Sequence, residues 1–295
     1  MTNKQTRVAV IGAGTMGAGI AGVFVRAGFD VALYSRGQAT LETARTLLCD
    51  VANKVRFSTD IEECLDGAEI VSENIAENAD LKRDLFALVE SKVSATCLLT
   101  TNTSSVPISS IASSMRQPHR LVGLHWFNPP AVMPLVEIVR GKATSESVVE
   151  KAQALCNGLG KESIEVKNEI PGFVINRLQY AMLREALHLV EEGIASIQDV
   201  DRAVETTLAP RWSSAGPLRL MDMAGLDTVA KVSAVLMPAL SRSEGVSPII
   251  EKLVSSGALG TKAQRGFYNW SDEEISIAKM DRDETVKLLT ERRKS

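Results

Sequence analysis

Residues 7–17 read RVAVIGAGTMG, and this stretch decides the fold class. A short apolar run leads into a G-x-G-x-x-G motif made of Gly12, Ala13, Gly14, Thr15, Met16 and Gly17. The composition of residues 16–27 predicts a helix, and residues 31–34 predict a second strand. In such a strand–turn–helix–strand unit the glycines permit a tight turn and the close approach of a phosphate group, which binds the free N–H groups of the helix N-terminus. We therefore predict that the motif binds a dinucleotide cofactor.

Short apolar runs alternate with helical patterns through the rest of the first half. We predict further strands at residues 55–58, 69–72, 97–101, 121–125 and 135–139, and helices at 41–52 and 81–93. Alternation of strands with helices is typical of a mostly parallel sheet that is covered by helices on both faces. The fold class predicted for this half is α/β, with a Rossmann-type doubly wound sheet.

The pattern changes where Pro171 and Gly172 interrupt it. Residues 174–192 predict one long helix that is apolar around most of its circumference, and such a helix is expected to be buried against several others. We predict further helices at 197–208, 218–237 and 248–256, a short strand at 266–268 and a solvated terminal helix at 272–295. The chain is therefore expected to have two domains, a dinucleotide-binding domain at 1–169 and an all-helical domain at 170–295.

Composition and charge limit the class of protein and its partners. Of 295 residues, 45% are hydrophobic and 23% are charged, which is ordinary for a folded protein and excludes a disordered one. A net charge of −3 argues against nucleic acid as the main partner. We expect no membrane span, because no stretch approaches about 18 uninterrupted apolar residues. No metal site is expected, since the cysteines lack ligand spacing. The polar N-terminus does not resemble a signal peptide, so a cytoplasmic location with buried, reduced cysteines is expected.

The end of the predicted second strand bears on the choice between NAD and NADP. A carboxylate at this position accepts hydrogen bonds from the adenosine ribose and repels a 2′-phosphate. Here the strand ends in Tyr34-Ser35-Arg36, so that repulsion is absent and the Arg36 guanidinium offers charged donors to a phosphate. We predict that Ser35 and Arg36 belong to the cofactor site and that NADP is favoured over NAD. The alternative is that Arg36 lies in solvent while NAD binds without the usual carboxylate.

A series of polar motifs follows in a fixed order along the chain. Its members are Glu73-Asn74, Glu77-Asn78 with Lys82, Asn102-Thr103-Ser104-Ser105, Gly123-Leu124-His125-Trp126-Phe127-Asn128-Pro129-Pro130, Glu137, Pro171-Gly172-Phe173-Val174-Ile175-Asn176-Arg177, Gly216-Pro217-Leu218, Asp222, Gly225-Leu226-Asp227 and Gly266-Phe267-Tyr268. Over residues 7–270 the chain resembles the L-3-hydroxyacyl-CoA dehydrogenases, including the 3-hydroxybutyryl-CoA dehydrogenases. The resemblance implies a 6-phosphogluconate dehydrogenase-like fold, an NAD(P)-dependent oxidoreductase of fatty acid metabolism, and a homodimer formed through roughly residues 174–260.

The resemblance also implies roles for individual residues. His125 is expected to be the general base that takes the proton of the substrate hydroxyl, and Glu137 is expected to fix the imidazole tautomer. A neutral imidazole near physiological pH suits this work. Ser104 and Asn176 are expected to hydrogen-bond the reacting oxygen and its neighbour. The residues expected to line the nicotinamide half of the cofactor site are Glu77, Lys82 and Asn102.

Two segments depart from the family's pattern. Family members carry a long helical excursion after the second strand that helps to hold CoA, whereas only residues 37–56 join the second and third predicted strands here. Residues 208–214 read LAPRWSS instead of a glycine-rich segment, and Arg211 is a candidate counter-charge for an anionic substrate. A surface salt bridge is the alternative for Arg211. The shortened excursion and the His-Trp-x-Asn-Pro-Pro form also occur in relatives that act on small non-CoA hydroxy acids and on a hydroxymethyl pyridine carboxylate.

The predicted function is hydride transfer between a nicotinamide cofactor and the 3-hydroxy group of a 3-hydroxyacyl-CoA or a related 3-hydroxy acid. One alternative is the dehydrogenation of a small non-CoA hydroxy acid or a hydroxymethyl pyridine carboxylate. Another is a non-catalytic, crystallin-like nucleotide-binding protein, which the joint presence of the four catalytic candidates disfavours. A decarboxylating β-hydroxyacid dehydrogenase is also disfavoured, because that class has a catalytic lysine where Asn176-Arg177 stands here.

Overall fold

The computed structural model describes residues 5–294, which divide into two compact units between Asn176 and Arg177. The first unit, the sheet unit, combines eight strands with helices. Its strands are β1 (Arg7–Ile11), β2 (Asp30–Tyr34), β3 (Val55–Ser58), β4 (Ile70–Glu73), β5 (Leu98–Thr101), β6 (Leu121–Trp126), β7 (Leu135–Val139) and β8 (Glu162–Val166). Its helices are α1 (Thr15–Arg26), α2 (Gln38–Leu48), α3 (Ile61–Leu65), α4 (Ala79–Lys92), α5 (Ile108–Ala112) and α6 (Glu146–Gly158).

The strands form one sheet in the order β3-β2-β1-β4-β5-β6-β7-β8. Neighbours from β3 through β6 are parallel, β7 runs antiparallel to β6, and β8 is parallel to β7. The strand order reverses between β1 and β4, and ligands of doubly wound sheets bind beyond the carboxyl ends of the strands at such a point. The predicted Rossmann-type sheet is confirmed.

The inner strands are apolar on both faces of the sheet. Val8 and Val10 belong to a core formed with α1, α2 and α6, whereas Ala9 and Ile11 belong to a second core formed with α3, α4 and α5. Because successive strand residues point to opposite faces, a strand covered on both sides is apolar throughout. This is why the inner strands are visible as apolar runs in the sequence.

The edge strand β8 was not predicted, and its position explains why. It pairs only with β7, is mostly half-exposed, and contains two glutamates. One of them, Glu165, forms an ion pair with Arg140 at 2.5 Å. A half-exposed edge strand tolerates charged side chains, so it lacks the apolar run that marks the inner strands.

Two local expectations about residues 41–52 and the cysteines need correction. α2 ends at Leu48, and Cys49–Lys54 forms a 3₁₀ turn because Cys49 adopts a positive φ of 45°. All four cysteines are free, but Cys49 is exposed at this helix end rather than buried. Burial raises the pKa of the other three thiols, Cys64, Cys97 and Cys156, to about 12.

The second unit, the helical unit, contains most of α7 (Ile175–Glu191), which begins in the last residues of the sheet unit. Its other helices are α8 (Ile197–Ala203), α9 (Ala209–Ser214), α10 (Pro217–Ala224), α11 (Leu226–Leu236), α12 (Pro248–Ser255) and α13 (Asp272–Lys294), and a π-helical turn at Val204–Leu208 joins α8 to α9. The single helix predicted at 218–237 is interrupted by Gly225, whose φ is 90°. The strand predicted at 266–268 does not form, and Arg265 instead makes isolated bridges to Gly260 and Asn269.

Few apolar side chains of the helical unit are buried. Of its described residues, the only buried hydrophobic ones are Leu187, Ala215 and Ala258. The expectation that α7 is buried around its circumference is therefore wrong for the isolated chain, because Leu178 and Tyr180 are 55% and 65% exposed. None of the helices that the structure describes is both long and apolar enough to cross a membrane.

Candidate active site

The glycine-rich turn between β1 and α1 fits a pyrophosphate group. A side chain at Gly12, whose φ is 102°, would place its Cβ 2.5 Å from the carbonyl oxygen of Asn74, and one at Gly17 would place it 1.7 Å from that of Gly12. Nothing lies within 4 Å of a Cβ built on Gly14, so a ligand has room to approach. Among the described residues no side chain caps α1 at Thr15, which leaves the first N–H groups of the helix to bind an anion.

A cavity of about 380 Å³ opens beside this turn, and we call it the outer cavity. Its lining contains four of the predicted cofactor residues, which are Gly12, Gly14, Ser35 and Arg36. The remaining lining residues are Ile11, Tyr34, Ile61, Asn74, Ile75, Ala76, Leu81 and Leu85. Of the other motif residues, Ala13 and Gly17 are buried within the turn and Thr15 is exposed at the start of α1.

Arg36 is exposed where it lines the outer cavity. Within residues 5–294 its guanidinium takes part in no hydrogen bond or ion pair. The nearby Arg45 is engaged, since its guanidinium stacks 4.0 Å above the centre of the Phe57 ring. Arg36 therefore presents unpaired, charged donors beside the carboxyl end of β2.

A second cavity, of about 330 Å³, contains the candidate general base, and we call it the histidine cavity. It is lined by Met16, Asn74, Ile75, Asn102, Ser104, His125, Trp126, Phe127, Asn128 and Asn176. Met16 and Asn102, predicted as cofactor residues, lie here together with three of the four catalytic candidates. The fourth, Glu137, lies behind His125.

His125 and Glu137 face each other across the antiparallel pair of β6 and β7. The imidazole Nδ1 lies 2.6 Å from Glu137 Oε2, and the imidazole Nε2 lies 3.2 Å from Ser104 Oγ. Glu137 is fully buried and His125 is 4% exposed, so an unpaired carboxylate here would be costly. With Nδ1–H donated to this carboxylate, Nε2 carries the lone pair that faces the cavity.

Glu137 also anchors the start of α7, a contact that the sequence did not predict. Its second oxygen, Oε1, accepts hydrogen bonds from the backbone N–H groups of Val174 and Ile175, each at 2.9 Å. Asn176 follows directly in the first turn of α7. One carboxylate therefore positions both the imidazole and the turn that carries Asn176.

Two asparagine side chains form a chain of hydrogen bonds along the histidine cavity. Asn102 Oδ1 accepts from the backbone N–H of Trp126 at 2.9 Å, and Asn102 Nδ2 donates to Asn74 Oδ1 at 3.1 Å. Asn74 Nδ2 in turn donates to the carbonyl oxygen of Ser72 at 2.9 Å. Asn74 lines both cavities, and sequence reasoning had not assigned it to the site; its place directly after β4 was the available signal.

Glu77 and Lys82 form an ion pair, and neither is among the described residues that line the two cavities. Lys82 is fully buried, with Nζ 2.7 Å and 2.9 Å from the oxygens of Glu73 and 3.4 Å from Glu77 Oε2. Burial raises the pKa of Glu77, but hydrogen bonds from Thr103 and Ser105 and the charge of Lys82 outweigh it and lower this pKa to about 2.

Arg211, the candidate counter-charge, lies in the helical unit. It is exposed on α9, and its Nε donates to the carbonyl oxygen of Thr207 at 3.1 Å. This contact is local to its own helix, so the contribution of Arg211 to substrate binding stays a prediction.

Comparison with known proteins places this geometry in a family. Residues 7–170 match the model of the 3-hydroxyacyl-CoA dehydrogenase NAD-binding domain, and residues 172–270 match that of the 3-hydroxyacyl-CoA dehydrogenase C-terminal domain. The chain is 33% identical to 5-formyl-3-hydroxy-2-methylpyridine 4-carboxylate 5-dehydrogenase of Mesorhizobium japonicum, covering 97% of each chain. It is 36% identical to a probable 3-hydroxybutyryl-CoA dehydrogenase of Bacillus subtilis, covering 92% of this chain and 99% of the relative.

Solved structures give the same result. The crystal structure of a 5-formyl-3-hydroxy-2-methylpyridine 4-carboxylic acid 5-dehydrogenase, described as an NAD⁺-dependent dismutase, matches with a TM-score of 0.90 at 32% identity and covers 98% of each chain. That of (S)-3-hydroxybutyryl-CoA dehydrogenase from Ralstonia eutropha matches with a TM-score of 0.73 at 32% identity, covering 91% of this chain and all of the other. The paired histidine and glutamate, the glycine-rich turn and both family matches agree: this chain belongs to the 3-hydroxyacyl-CoA dehydrogenase family of nicotinamide-dependent oxidoreductases.

Proposed function

We propose that this protein oxidises a secondary or primary alcohol on a small carboxylate or thioester, or reduces the corresponding carbonyl, with a nicotinamide cofactor. The observation that carries the proposal is the placement of His125, held by Glu137 and facing Ser104, in a cavity adjacent to the glycine-rich turn. A non-catalytic nucleotide-binding role needs no such buried, oriented base.

The residues of the sheet unit divide the work of the reaction. His125 Nε2 takes the proton from the substrate hydroxyl, while Ser104 Oγ and the Asn176 amide hydrogen-bond the reacting oxygen and its neighbour. Glu137 keeps the proton of the neutral imidazole on Nδ1 and stabilises the imidazolium that forms. A nicotinamide, when bound, would supply the acceptor for the hydride of the carbinol carbon, so that the C–H and O–H bonds break as the C=O bond forms.

One candidate substrate is a 3-hydroxyacyl-CoA, since relatives named for 3-hydroxybutyryl-CoA match over nearly the whole chain. A small non-CoA acid, such as a hydroxymethyl pyridine carboxylate, is the second. Two observations favour the second: the TM-score of 0.90 to a pyridine carboxylate dehydrogenase, and the short β2–β3 connection, which contains only α2 and the turn Cys49–Lys54. Arg211 is the proposed counter-charge for its carboxylate.

For the cofactor we propose a preference for NADP over NAD. Arg36 lines the outer cavity with an unpaired guanidinium, and Ser35 removes the carboxylate that repels a 2′-phosphate. The related pyridine carboxylate dehydrogenase is described as NAD⁺-dependent, so its cofactor differs from the one proposed here.

A homodimer formed through roughly residues 174–260 is also proposed. In the helical unit Leu218, Met223 and Val235 are 86%, 73% and 72% exposed, and exposed apolar side chains of this number are typical of an interface. The free cysteines agree with the reducing cytoplasm that we propose as the protein's location.

A panel of substrates and cofactors tests the proposed function. Acetoacetyl-CoA, free 3-oxo acids and hydroxymethyl pyridine carboxylates are each supplied with the reduced or oxidised forms of NAD and NADP, and cofactor absorbance reports turnover. We expect turnover of at least one class, with free acids preferred over CoA esters and Arg211→Ala raising the KM for free acids alone. Binding of a nicotinamide cofactor without turnover of any class would leave the non-catalytic nucleotide-binding alternative.

A further inference from the structure

One oxygen of the Glu77 carboxylate accepts five hydrogen bonds from the turn that carries Ser104. This turn, residues 103–106 between β5 and α5, is called the serine turn. Glu77 Oε1 accepts from the Thr103 hydroxyl at 2.6 Å, from the backbone N–H groups of Ser104, Ser105 and Val106 at 2.9, 2.7 and 3.2 Å, and from the Ser105 hydroxyl at 3.0 Å.

The second oxygen of Glu77 contacts a buried ion pair, which is formed by Lys82 and Glu73. Lys82 Nζ lies 3.4 Å from Glu77 Oε2, and both oxygens of Glu73 bind the same ammonium. The Thr101 hydroxyl at the end of β5 also donates to Glu73 Oε2. Glu73 and Lys82 are fully buried, so β4, β5 and α4 fix the position of the Glu77 carboxylate. The pKa of about 2 keeps this carboxylate ionised at every pH at which the protein is expected to work.

Of the serine turn, Ser104 is the residue that lines the histidine cavity. The backbone N–H groups of Ser104, Ser105 and Val106 donate to Glu77 and are not available to a substrate oxygen. The Ser104 hydroxyl remains, with Oγ 3.2 Å from His125 Nε2 and within the cavity lining. The hydrogen bonds between the turn and Glu77 therefore set the position of Ser104 Oγ relative to His125 Nε2.

We propose that Glu77 is a positioning residue, which holds the serine turn so that Ser104 Oγ and His125 Nε2 meet the same substrate oxygen. This role adds to the cofactor-lining role that the family resemblance implies, because it acts through the hydrogen bonds of Glu77 Oε1 to the serine turn. The inference rests on the proposed function for the chemistry that Ser104 performs.

A neutral amide is a poor replacement for this carboxylate. Five donors crowd one oxygen, and hydrogen bonds to an ionised acceptor are stronger and shorter than those to a neutral one. The Glu77→Gln variant would also turn an amide N–H₂ or a neutral oxygen toward the Lys82 ammonium. The serine turn should therefore loosen while β4, β5 and the glycine-rich turn remain intact.

The test is a double-mutant cycle of Glu77→Gln with Ser104→Ala, assayed on the substrate found in the panel. The matched control is Glu90→Gln, because Glu90 on α4 accepts the backbone N–H groups of Arg116 and Gln117 at 2.6 and 2.7 Å in a loop outside both cavities. We expect Glu77→Gln to lower kcat about 10- to 100-fold, the scale of a misplaced reacting group. Glu90→Gln should keep the wild-type kcat and the wild-type dissociation constant for the reduced cofactor.

The cycle separates positioning from a direct role. If Glu77 acts through Ser104, Glu77→Gln costs little further activity once Ser104→Ala is present, because coupled residues are not additive. Fully additive losses, or weaker cofactor binding with unchanged kcat, would overturn the inference in favour of cofactor contact.

Two further measurements keep the inference testable if the first variant folds poorly or the panel fails. Ser105→Ala removes one exposed donor to the same oxygen and should lower kcat by a smaller factor without changing cofactor affinity. The crystal structure of Glu77→Gln or Ser105→Ala should show Ser104 Oγ displaced from His125 Nε2. An unchanged separation of these atoms overturns the inference whatever the wild type catalyses, whereas a wild type without turnover contradicts the proposed function alone.

Discussion

The sheet unit and the helical unit bury their apolar side chains very differently. The sheet unit has a core on each face of its sheet, and the candidate catalytic pair lies buried between two of its strands. Among the described residues of the helical unit, Leu187, Ala215 and Ala258 are the only buried hydrophobic ones. The difference indicates that the sheet unit buries its apolar side chains within one chain, whereas the helical unit leaves most of its own exposed there.

If proton transfer depends on the sheet unit alone, substitution of His125 should lower the activity more than any other change. We expect His125→Gln to lower kcat at least about 100-fold, the scale of a lost general base, with folding and cofactor affinity preserved. Steady-state kinetics and cofactor titration measure both. His119→Gln is the control, since His119 is exposed in the turn Pro118–Arg120, and a near-wild-type rate for His125→Gln would refute the mechanism.

The next largest effect is expected on cofactor affinity, and the residues responsible also belong to the sheet unit. A charge-assisted hydrogen bond from Arg36 to a 2′-phosphate is worth about 1.5–3 kcal/mol, which corresponds to a preference of roughly 10- to 150-fold. Arg36→Ala should weaken NADP binding without changing NAD binding, and Ser35→Asp should restore a preference for NAD. Fluorescence titration with both cofactors decides, and tighter binding of NAD by the wild type would place Arg36 in solvent instead.

The helical unit should respond to changes in assembly rather than in chemistry. Leu218 is 86% exposed in one chain and lies in the proposed interface. Leu218→Asp would introduce a charge there and should weaken the proposed dimer about tenfold or more. Leu47→Asp is the matched control, since Leu47 is 53% exposed on α2 in the sheet unit. Light scattering at micromolar concentration should give a dimer for the wild type and the control; a monomeric wild type would remove the proposed interface.

The smallest effect is the contribution of Glu77 to stability at low pH. Its pKa is lowered from 4.5 to about 2 in the folded state, so its stabilising contribution is present above pH 4.5 and is lost as the pH falls toward 2. The free energies of unfolding of the wild type and Glu77→Gln should therefore differ at neutral pH and converge in acid. Urea unfolding measures this, and the effect is small because the Glu77 side chain is 35% exposed. Parallel pH curves would contradict the expectation.

The inner strands and the glycine-rich turn could be predicted because their sequences satisfy strict local requirements. β1 is apolar on both faces, and Gly12 and Gly17 lie where a side chain would collide with the backbone. β8 could not be predicted in this way, since an edge strand does not need a continuous apolar run. The break of α10 and α11 at Gly225 was missed because a single glycine inside an apolar pattern is often tolerated.

The residues of the site that act through their side chains could be predicted from sequence motifs. His125, Glu137, Ser104 and Asn176 were named from motifs, and the structure brings all four together. The hydrogen bonds from the backbone of Val174 and Ile175 to Glu137 leave no trace in residue type, because every residue other than proline has an N–H group. The exposure of α7 was unpredictable for another reason: apolar periodicity shows that a face is to be covered but not by which chain.

The hydrogen bonds of Glu137 constrain how this region of the chain can change in length. Surface connections between secondary-structure elements usually tolerate insertions, but the one from β8 to α7 ends in two N–H groups that must reach a buried carboxylate. Phe173, just before them, adopts a positive φ of 49° and places its ring 5.4 Å from the His125 ring. One inserted or deleted residue would exchange these N–H groups for others and rotate Asn176 away from the cavity. Variation among natural or engineered sequences should therefore change side chains in this connection and conserve its length.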